Sequence, residues 1–574
     1  MRSHPMPDFT SISQVDLTPV AGKQYFTLDR EWREEFIYFL MVDRFHDDQR
    51  RAPVLQPNRS AGIQTPDAFY GGKIKGITDQ LDYIAGLGCT AIWLSPVFGN
   101  NPGAYHGYNI HNYLDIDPNF GTKQDLIDLV NAAHAFRRNG QPWPMRIILD
   151  VVINHSGDNW AYPGDDPYFY FNDVQFPFGF WRDNGPIPTE LREPTWYHRR
   201  GRIRNYDAYP ELEHGDIDSL KDYANDDDAI GSAVINALIK AHCYWIREAD
   251  VDGFRVDAVK HMSAVACSRF CSNIREYAYS LGKRGFFLFG EVATPDDDIY
   301  NRYIGQNTSA TDGNDTVFFG LDSVLDFRLA EGIYADDKNA PLRDVLKGFK
   351  GPQTLFNRIE AQRQRALNRG EIGRYLVTFV DNHDSFWQPS GRFANGAPDE
   401  EVIGAIGFLL TALGTACIYY GTEQGFCGQG GDNQIREAMF DKAIPGRNLL
   451  NTSCRIYQEI AKIAQVMRNN EPLRFGRMYY RQIAGDSQHF GFPFGSAYTL
   501  AFSRLLYGQE VLVAYNVSGQ PRNDFVIVDS TLHGDGSTMR FLYGGAGTTA
   551  VGTAADQSRF VQLNLPAFGF VILV

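Results

Sequence analysis

Asp257, Glu291 and Asp384 each stand at the carboxyl end of a short apolar run of strand character. Two carboxyl groups flanking one bond are what glycosidic cleavage needs: one attacks the anomeric carbon while the other protonates the departing oxygen. Asp257 and Glu291 end successive runs, so adjacent strands present them to one cavity, and Asp384 approaches from a later strand. Arg255 lies two residues before Asp257, on the same strand face. A fixed positive charge there is expected to hold Asp257 ionised and able to attack. His155 and His383 bring imidazoles that hydrogen-bond sugar hydroxyls and share developing charge. Metal-assisted hydrolysis is the rival chemistry, because Asn-His-Asp triplets also ligate divalent ions. A compact His-x-His pair is missing, and Arg255 at the centre would repel a bound cation. Taken singly, each strand-end carboxylate could equally cap a helix or pair with an arginine; the combination carries the reading.

Eight runs position these groups: IYFLMVDRF from Ile37, TAIWLSPVF from Thr90, RIILDVVINH from Arg146, VDGFRVDAV from Val251, FFLFGEVA from Phe286, DSVLDF from Asp322, LVTFVDNHD from Leu376 and ACIYYGTE from Ala416. Amphipathic segments lie between them, and strands alternating with helices imply parallel βαβ units. Eight such units predict a (β/α)8 barrel, with a doubly wound sheet as the alternative. A barrel gathers its active site at the carboxyl ends of its strands, where the chemistry-bearing residues cluster here. Some 70 residues rich in Trp, Tyr, Phe, Pro and Asp follow the third run; a structureless loop that long is improbable, so a small inserted domain is expected. After about residue 472 alternating strands replace the helical pattern and predict an antiparallel β-sandwich. The predicted division is an N-terminal extension of no evident role (1–30), the barrel (31–155 and 229–471), the insertion (156–228) and the C-terminal domain (472–574).

Composition sets limits. The 574 residues carry a net charge of −15, which argues against nucleic acid as a partner because phosphate contacts need clustered Lys and Arg. Aromatics reach 14%, compatible with stacking on sugar faces and also with ordinary packing. No stretch reads as the roughly 20 apolar residues that span a bilayer, so no membrane partner is expected. Seven cysteines, an odd and scattered set, do not form a disulfide framework; Cys267 and Cys271 read as two buried thiols. With no apolar leader visible at the N-terminus, a reduced cytoplasmic setting is expected, a secreted mature form being the alternative.

DVVINH (Asp150 to His155), GFRVDAVKH (Gly253 to His261), GEV (Gly290 to Val292) and FVDNHD (Phe379 to Asp384) resemble, in order and spacing, the four signature regions of the α-amylase family, glycoside hydrolase family 13. YHGYNIHNYLDIDPNFGT from Tyr105 and HGDIDSLKD from His214 are similar to two further segments of that family, and the resemblance runs from about Tyr38 to Val574. It implies Asp257 as nucleophile, Glu291 as acid/base and Asp384 as a third carboxylate gripping sugar hydroxyls. It also implies Arg255, His155 and His383 around them, Tyr108 stacked on a glucose ring with His106 beside it, and Asp150 in support. Lys260 and His261 resemble the pair found in α-amylases and cyclodextrin-forming transferases, which implies contacts to α-1,4-linked glucose beyond the cleavage point. In many relatives a structural calcium is held at positions matching Asn154, Asp216 and the backbone carbonyl of His261; no organic cofactor is implied. Hydrolysis of α-1,4-glucans is the first expectation and transglycosylation the second, with a non-catalytic sugar-binding relative a remote third. The glycine-rich segment from Gly421 reads as a mobile rim loop, in which Arg436 and Glu437 bind substrate or pair with each other.

Overall fold

A computed structural model describes residues 9–574 apart from 50–54, 172–173, 184, 295–296, 305–306, 310–315, 319, 332–339, 365, 368–369, 372–375, 386–390 and 445–446. Each of the eight apolar runs contains a strand: β1 (Phe36–Leu40), β2 (Ala91–Leu94), β3 (Arg146–Val151), β4 (Gly253–Val256), β5 (Phe287–Gly290), β6 (Ser323–Val324), β7 (Val377–Thr378) and β8 (Thr415–Tyr419). All eight are buried throughout, as strands enclosed by helices must be. They pair in parallel in the order β6-β5-β4-β3-β2-β1-β8-β7, and a parallel bridge between Leu325 and Val377 links the two ends into a barrel.

The helix Ala229–Ala249 leads into β4. The Asp228 carboxylate caps it by accepting from the Gly231 N–H at 2.7 Å, and it stops at Asp250, which adopts the left-handed conformation at φ 62°. At 21 residues it is long and apolar enough to cross a membrane, which corrects the sequence reading. Its buried residues, among them Val234, Leu238, Trp245 and Ile246, pack into the molecule's own core.

Between β3 and that helix the chain forms an insertion rather than a loop. His155–Ser156 pairs antiparallel with Lys221–Asp222, and Trp160–Ala161 with Phe180–Trp181. Rings of Trp160, Tyr162, Phe178, Trp181 and Tyr197 pack edge-on or tilted at centroid separations of 4.6–5.9 Å, so much of the local aromatic excess is packing. The strands from Arg477 to Leu573 form a nine-stranded antiparallel sheet, which folds so that Leu512, Ala514, Val571 and Leu573 share one core with Val526, Val551, Val561 and Leu563. It is fastened to the barrel by Arg504, which donates to the carbonyls of Thr411 and Ala412 at 2.7 and 2.6 Å.

The N-terminal segment has a structural role that its sequence does not announce. Residues 1–8 of the predicted extension lie outside the described residues, but the remainder is tied down along its length. Ser11 Oγ donates to Glu190 of the insertion at 2.5 Å, and Lys23 Nζ donates to the carbonyls of Arg247 and Glu248. Further on, the Phe26 N–H donates to Asp250, Lys283 Nζ donates to the Phe26 carbonyl, and Arg146 donates to the Leu28 carbonyl. This strap runs from the insertion to the amino-terminal end of the barrel. All seven cysteines are free thiols.

Candidate active site

Asp150, Arg255 and Glu291 meet because β3, β4 and β5 are neighbours in register: Arg255 lies opposite Asp150 on one side and Phe289 on the other. Gly290 permits this spacing, since a Cβ there would come within 2.5 Å of Leu321 and 2.8 Å of Val259. The fully buried Arg255 guanidinium makes four contacts: Nη1 donates to both oxygens of Asp150 at 2.9 and 3.1 Å and to Asp257 Oδ1 at 2.6 Å, and Nη2 donates to Glu291 Oε2 at 2.9 Å. One cation therefore serves three carboxyl groups.

That imbalance governs protonation. Burial raises Asp257, and the neighbouring carboxylates of Glu291 and Asp150 add to it, outweighing the pull of Arg255. The expectation that Arg255 alone keeps Asp257 ionised is corrected accordingly. Asp257 and Glu291 are joined through Arg255, which bonds one at 2.6 Å and the other at 2.9 Å. Glu291 is lowered instead: burial opposes this, but Arg255 and the Ala258 N–H bond its charged form.

Ala258 is a functional residue that sequence reasoning missed. It sits at φ 51°, in the left-handed region that disfavours a side chain by about 1–2 kcal/mol. The turn aims its N–H at Glu291 Oε2, 3.1 Å away, and brings Val259 N–H to the Glu291 carbonyl at 2.9 Å.

Tyr108 donates from its hydroxyl to Asp150 Oδ2 at 2.8 Å, and its ring lies nearly parallel to those of His383 and His106, at 5.3 and 5.9 Å. The preceding Gly107 has φ 92°, and a Cβ there would meet the Pro96 carbonyl oxygen at 2.2 Å. Burial pushes His155 and His106 down to about 3 and His383 well below its usual range, so these imidazoles are neutral at pH 7. Asp384 is pushed up to about 7 by burial and by the Glu291 and Asp432 carboxylates, against Arg436, whose Nη2 lies 3.0 Å from its Oδ1.

The structure brings Asp257, Glu291, Asp384, His155, His383, His106, Tyr108, Lys260 and His261 to one cleft of about 840 Å³, with Arg255 directly beneath. Seven of its lining residues had not been selected: Tyr206, Asp207, Ile217 and Leu220 of the insertion, and Ala258, Ala293 and Asp432 of the barrel. Asp207 takes Lys260 Nζ at 2.5 Å, which makes Lys260 a buried, paired lysine rather than a solvated one. Arg436 and Glu437 do not pair with each other: Arg436 bonds Asp384, Asp432 and the His383 carbonyl, while Glu437 bonds Arg392. The segment from Gly421 is not wholly a rim loop either, because Glu423 is fully buried and accepts from Tyr38 and Tyr83 at 2.7 and 2.6 Å.

The three residues read as calcium ligands do not fit that ion. Asp216 accepts from Tyr162 at 2.8 Å and from the Asp222 N–H at 3.1 Å. The fully buried Lys221 ammonium lies 3.7 Å from it and 3.4 Å from Asp166. Asn154 donates to Asp222 at 3.2 Å and accepts from Asn225 at 3.5 Å, and the His261 ring is held on the Leu212 carbonyl at 2.7 Å. A lysine cation already occupies the charge environment that a calcium ion would need.

Known proteins resemble this chain along most of its length. The alpha-amylase catalytic-domain profile matches residues 39–471. An alpha-amylase of Streptomyces lividans is 28% identical over 94% of this chain and 60% of its own length. A cyclomaltodextrin glucanotransferase of Klebsiella oxytoca is 28% identical over 68% of this chain and 58% of its own length. The chain thus spans about three fifths of these curated relatives. Among solved structures, an Anoxybacillus alpha-amylase superposes with a TM-score of 0.69 at 24% identity, covering 95% of this chain and 98% of that one.

Proposed function

Because the chain belongs to the α-amylase family, we propose that it opens α-1,4-glucosidic bonds of starch-type glucans or maltooligosaccharides by double displacement. The observation that carries this reading is the Arg255-centred cluster of Asp257 and Glu291 at the floor of the cleft. Asp257 attacks the anomeric carbon as the bond to the leaving oxygen breaks, and Glu291 gives its proton to that oxygen. Glu291, now a carboxylate, takes a proton from water, the hydroxide adds to the anomeric carbon, and Asp257 is released. Neutral His155 and His383 hydrogen-bond the ring hydroxyls, Asp384 grips the sugar with Arg436 behind it, and Tyr108 gives the ring an apolar face.

Replacing water by a sugar hydroxyl turns the same cycle into transfer. That second reading is supported by the similarity to glucanotransferases alongside amylases. Product analysis on maltooligosaccharides, with and without added glucose, separates the two. Reducing ends rising one for one with bonds cleaved supports hydrolysis, and longer products or glucose incorporation support transfer. No cleavage of either kind would overturn the proposal. The free thiols support a reducing, cytoplasmic setting as part of the same proposal, which cell fractionation tests.

A further inference from the structure

The insertion carries a second cluster of functional groups that the reaction above does not use. His198 follows the turn Pro194–Trp196, His214 ends the short helix Glu211–His214, and Asp226 lies in the approach to the helix Ala229–Ala249. Three stretches separated in sequence thus bring two imidazoles and a carboxylate together. His198 Nε2 lies 2.9 Å from Asp226 Oδ2, and His214 Nε2 lies 3.2 Å from Asp226 Oδ1. The donor atoms all lie within 4.8 Å of one another, and the two rings are 4.4 Å apart at their centroids, tilted by 35°.

Two further features separate this cluster from an ordinary ion pair. Asp222 lies 2.5 Å from His198 Nδ1, on the ring edge away from Asp226. A carboxylate in that position fixes the tautomer whose Nε2 lone pair points into the cluster, the arrangement that supports metal-binding histidines. Asp222 is in turn held by Asn154 at the end of β3. The Asp226 side chain is 44% exposed, so solvent reaches the point where the three donors converge and can fill a remaining coordination position.

We propose that His198, His214 and Asp226 form a zinc site that ties three stretches of the insertion together, with Asp222 as its supporting carboxylate. Two imidazole nitrogens and one carboxylate oxygen suit Zn²⁺, whereas Ca²⁺ takes an all-oxygen set. Bonds of about 2.0–2.2 Å place ligand atoms about 3.3 Å apart in a tetrahedron, so the cluster contracts by about 1.5 Å at most. The metal takes the place of the proton between His198 Nε2 and Asp226, while Asp222 keeps the one on Nδ1. The site also bears on the cleft, because Tyr209, whose ring meets His214 at 5.7 Å, lies two residues after the cleft-lining Asp207.

The test is equilibrium dialysis of the full, untagged chain against Zn²⁺ at pH 8 after chelator treatment, with elemental analysis and thermal melts. One zinc per chain is expected, together with a melting temperature raised by several degrees. His214→Asn, which leaves the His198–Asp222 pair in place, should abolish stoichiometric uptake, and Asp222→Asn should weaken it about 10- to 100-fold. Failure of the wild-type chain to retain zinc overturns the proposal, as does equal uptake by the wild type and both variants. A parallel arm with Ca²⁺ alone should give no saturable binding, and stoichiometric calcium without zinc would equally refute the site.

Discussion

The two ends of β4 carry buried charge in opposite ways. Just before the strand, Asp252 lies 3.2 Å from Lys283 Nζ and 2.8 Å from His134 Nε2. Burial would raise it, but Lys283, His134 and the Ile147 N–H prevail and bring it down to about 2. Asp250 shares Lys283 and stays raised by its burial. Just after the strand, Asp257 shares a single guanidinium with Asp150 and Glu291, and burial together with those carboxylates raises it. Five residues apart, one aspartate is held as a settled anion and the other is kept ready to change its protonation. The amino-terminal end pairs its charges for stability; the carboxyl-terminal end leaves an excess of carboxyl groups, and that excess is what the chemistry uses.

The sharpest test of this contrast is Asp257→Asn. Turnover of maltooligosaccharides should fall by roughly 10⁴-fold or more, while the melting temperature holds or rises because one surplus buried carboxyl group has gone. A variant that melts lower and keeps its activity would erase the distinction. Glu291→Gln should slow cleavage of natural glucans by about 10²–10⁴-fold, yet spare substrates with activated leaving groups, which need no proton; equal losses on both would remove its acid role.

The other end should respond in stability alone. Asp252→Asn is expected to lose about 2–4 kcal/mol in denaturant unfolding, with kcat within a few-fold of wild type. Its pH dependence has a definite sign. Asp252 is lowered on folding, so its stabilisation is present above its unfolded value of about 4 and is lost as pH falls through about 2. Over that window the wild type should lose about 2 kcal/mol more than Asp252→Asn. Smallest of all is the effect of calcium. Lys221 is matched to Asp216 and Asp166 as Lys283 is to its aspartates, so added Ca²⁺ should leave the melting temperature unchanged. A rise of several degrees would put Lys221 on the wrong side of the comparison.

The barrel and its reactive end were legible because both write themselves into local sequence. Eight apolar runs announce strands, and strand ends announce where side chains converge. What stayed hidden depends on partners distant in the chain. Lys260 reads as a glucan contact, and its pairing with Asp207, 53 positions away, is visible only in the fold. Glu423 reads as loop until Tyr38 and Tyr83 enclose it. Ala258 carries no mark of its left-handed backbone, since glycine or asparagine is the usual sign of one. Lys221 and Asp216 are close in sequence, but only the fold shows that the lysine turns inward.

The N-terminal strap has a consequence for how the molecule comes together during synthesis. Ser11, Lys23 and Phe26 leave the ribosome well before the groups that receive them, since Glu190, Arg247, Asp250 and Lys283 emerge some 180 to 260 residues later. At a few to about 20 residues per second, the strap waits many seconds without a docking surface. It closes over the insertion and the foot of the barrel only after both have formed, so a segment made ahead of its partners docks behind them.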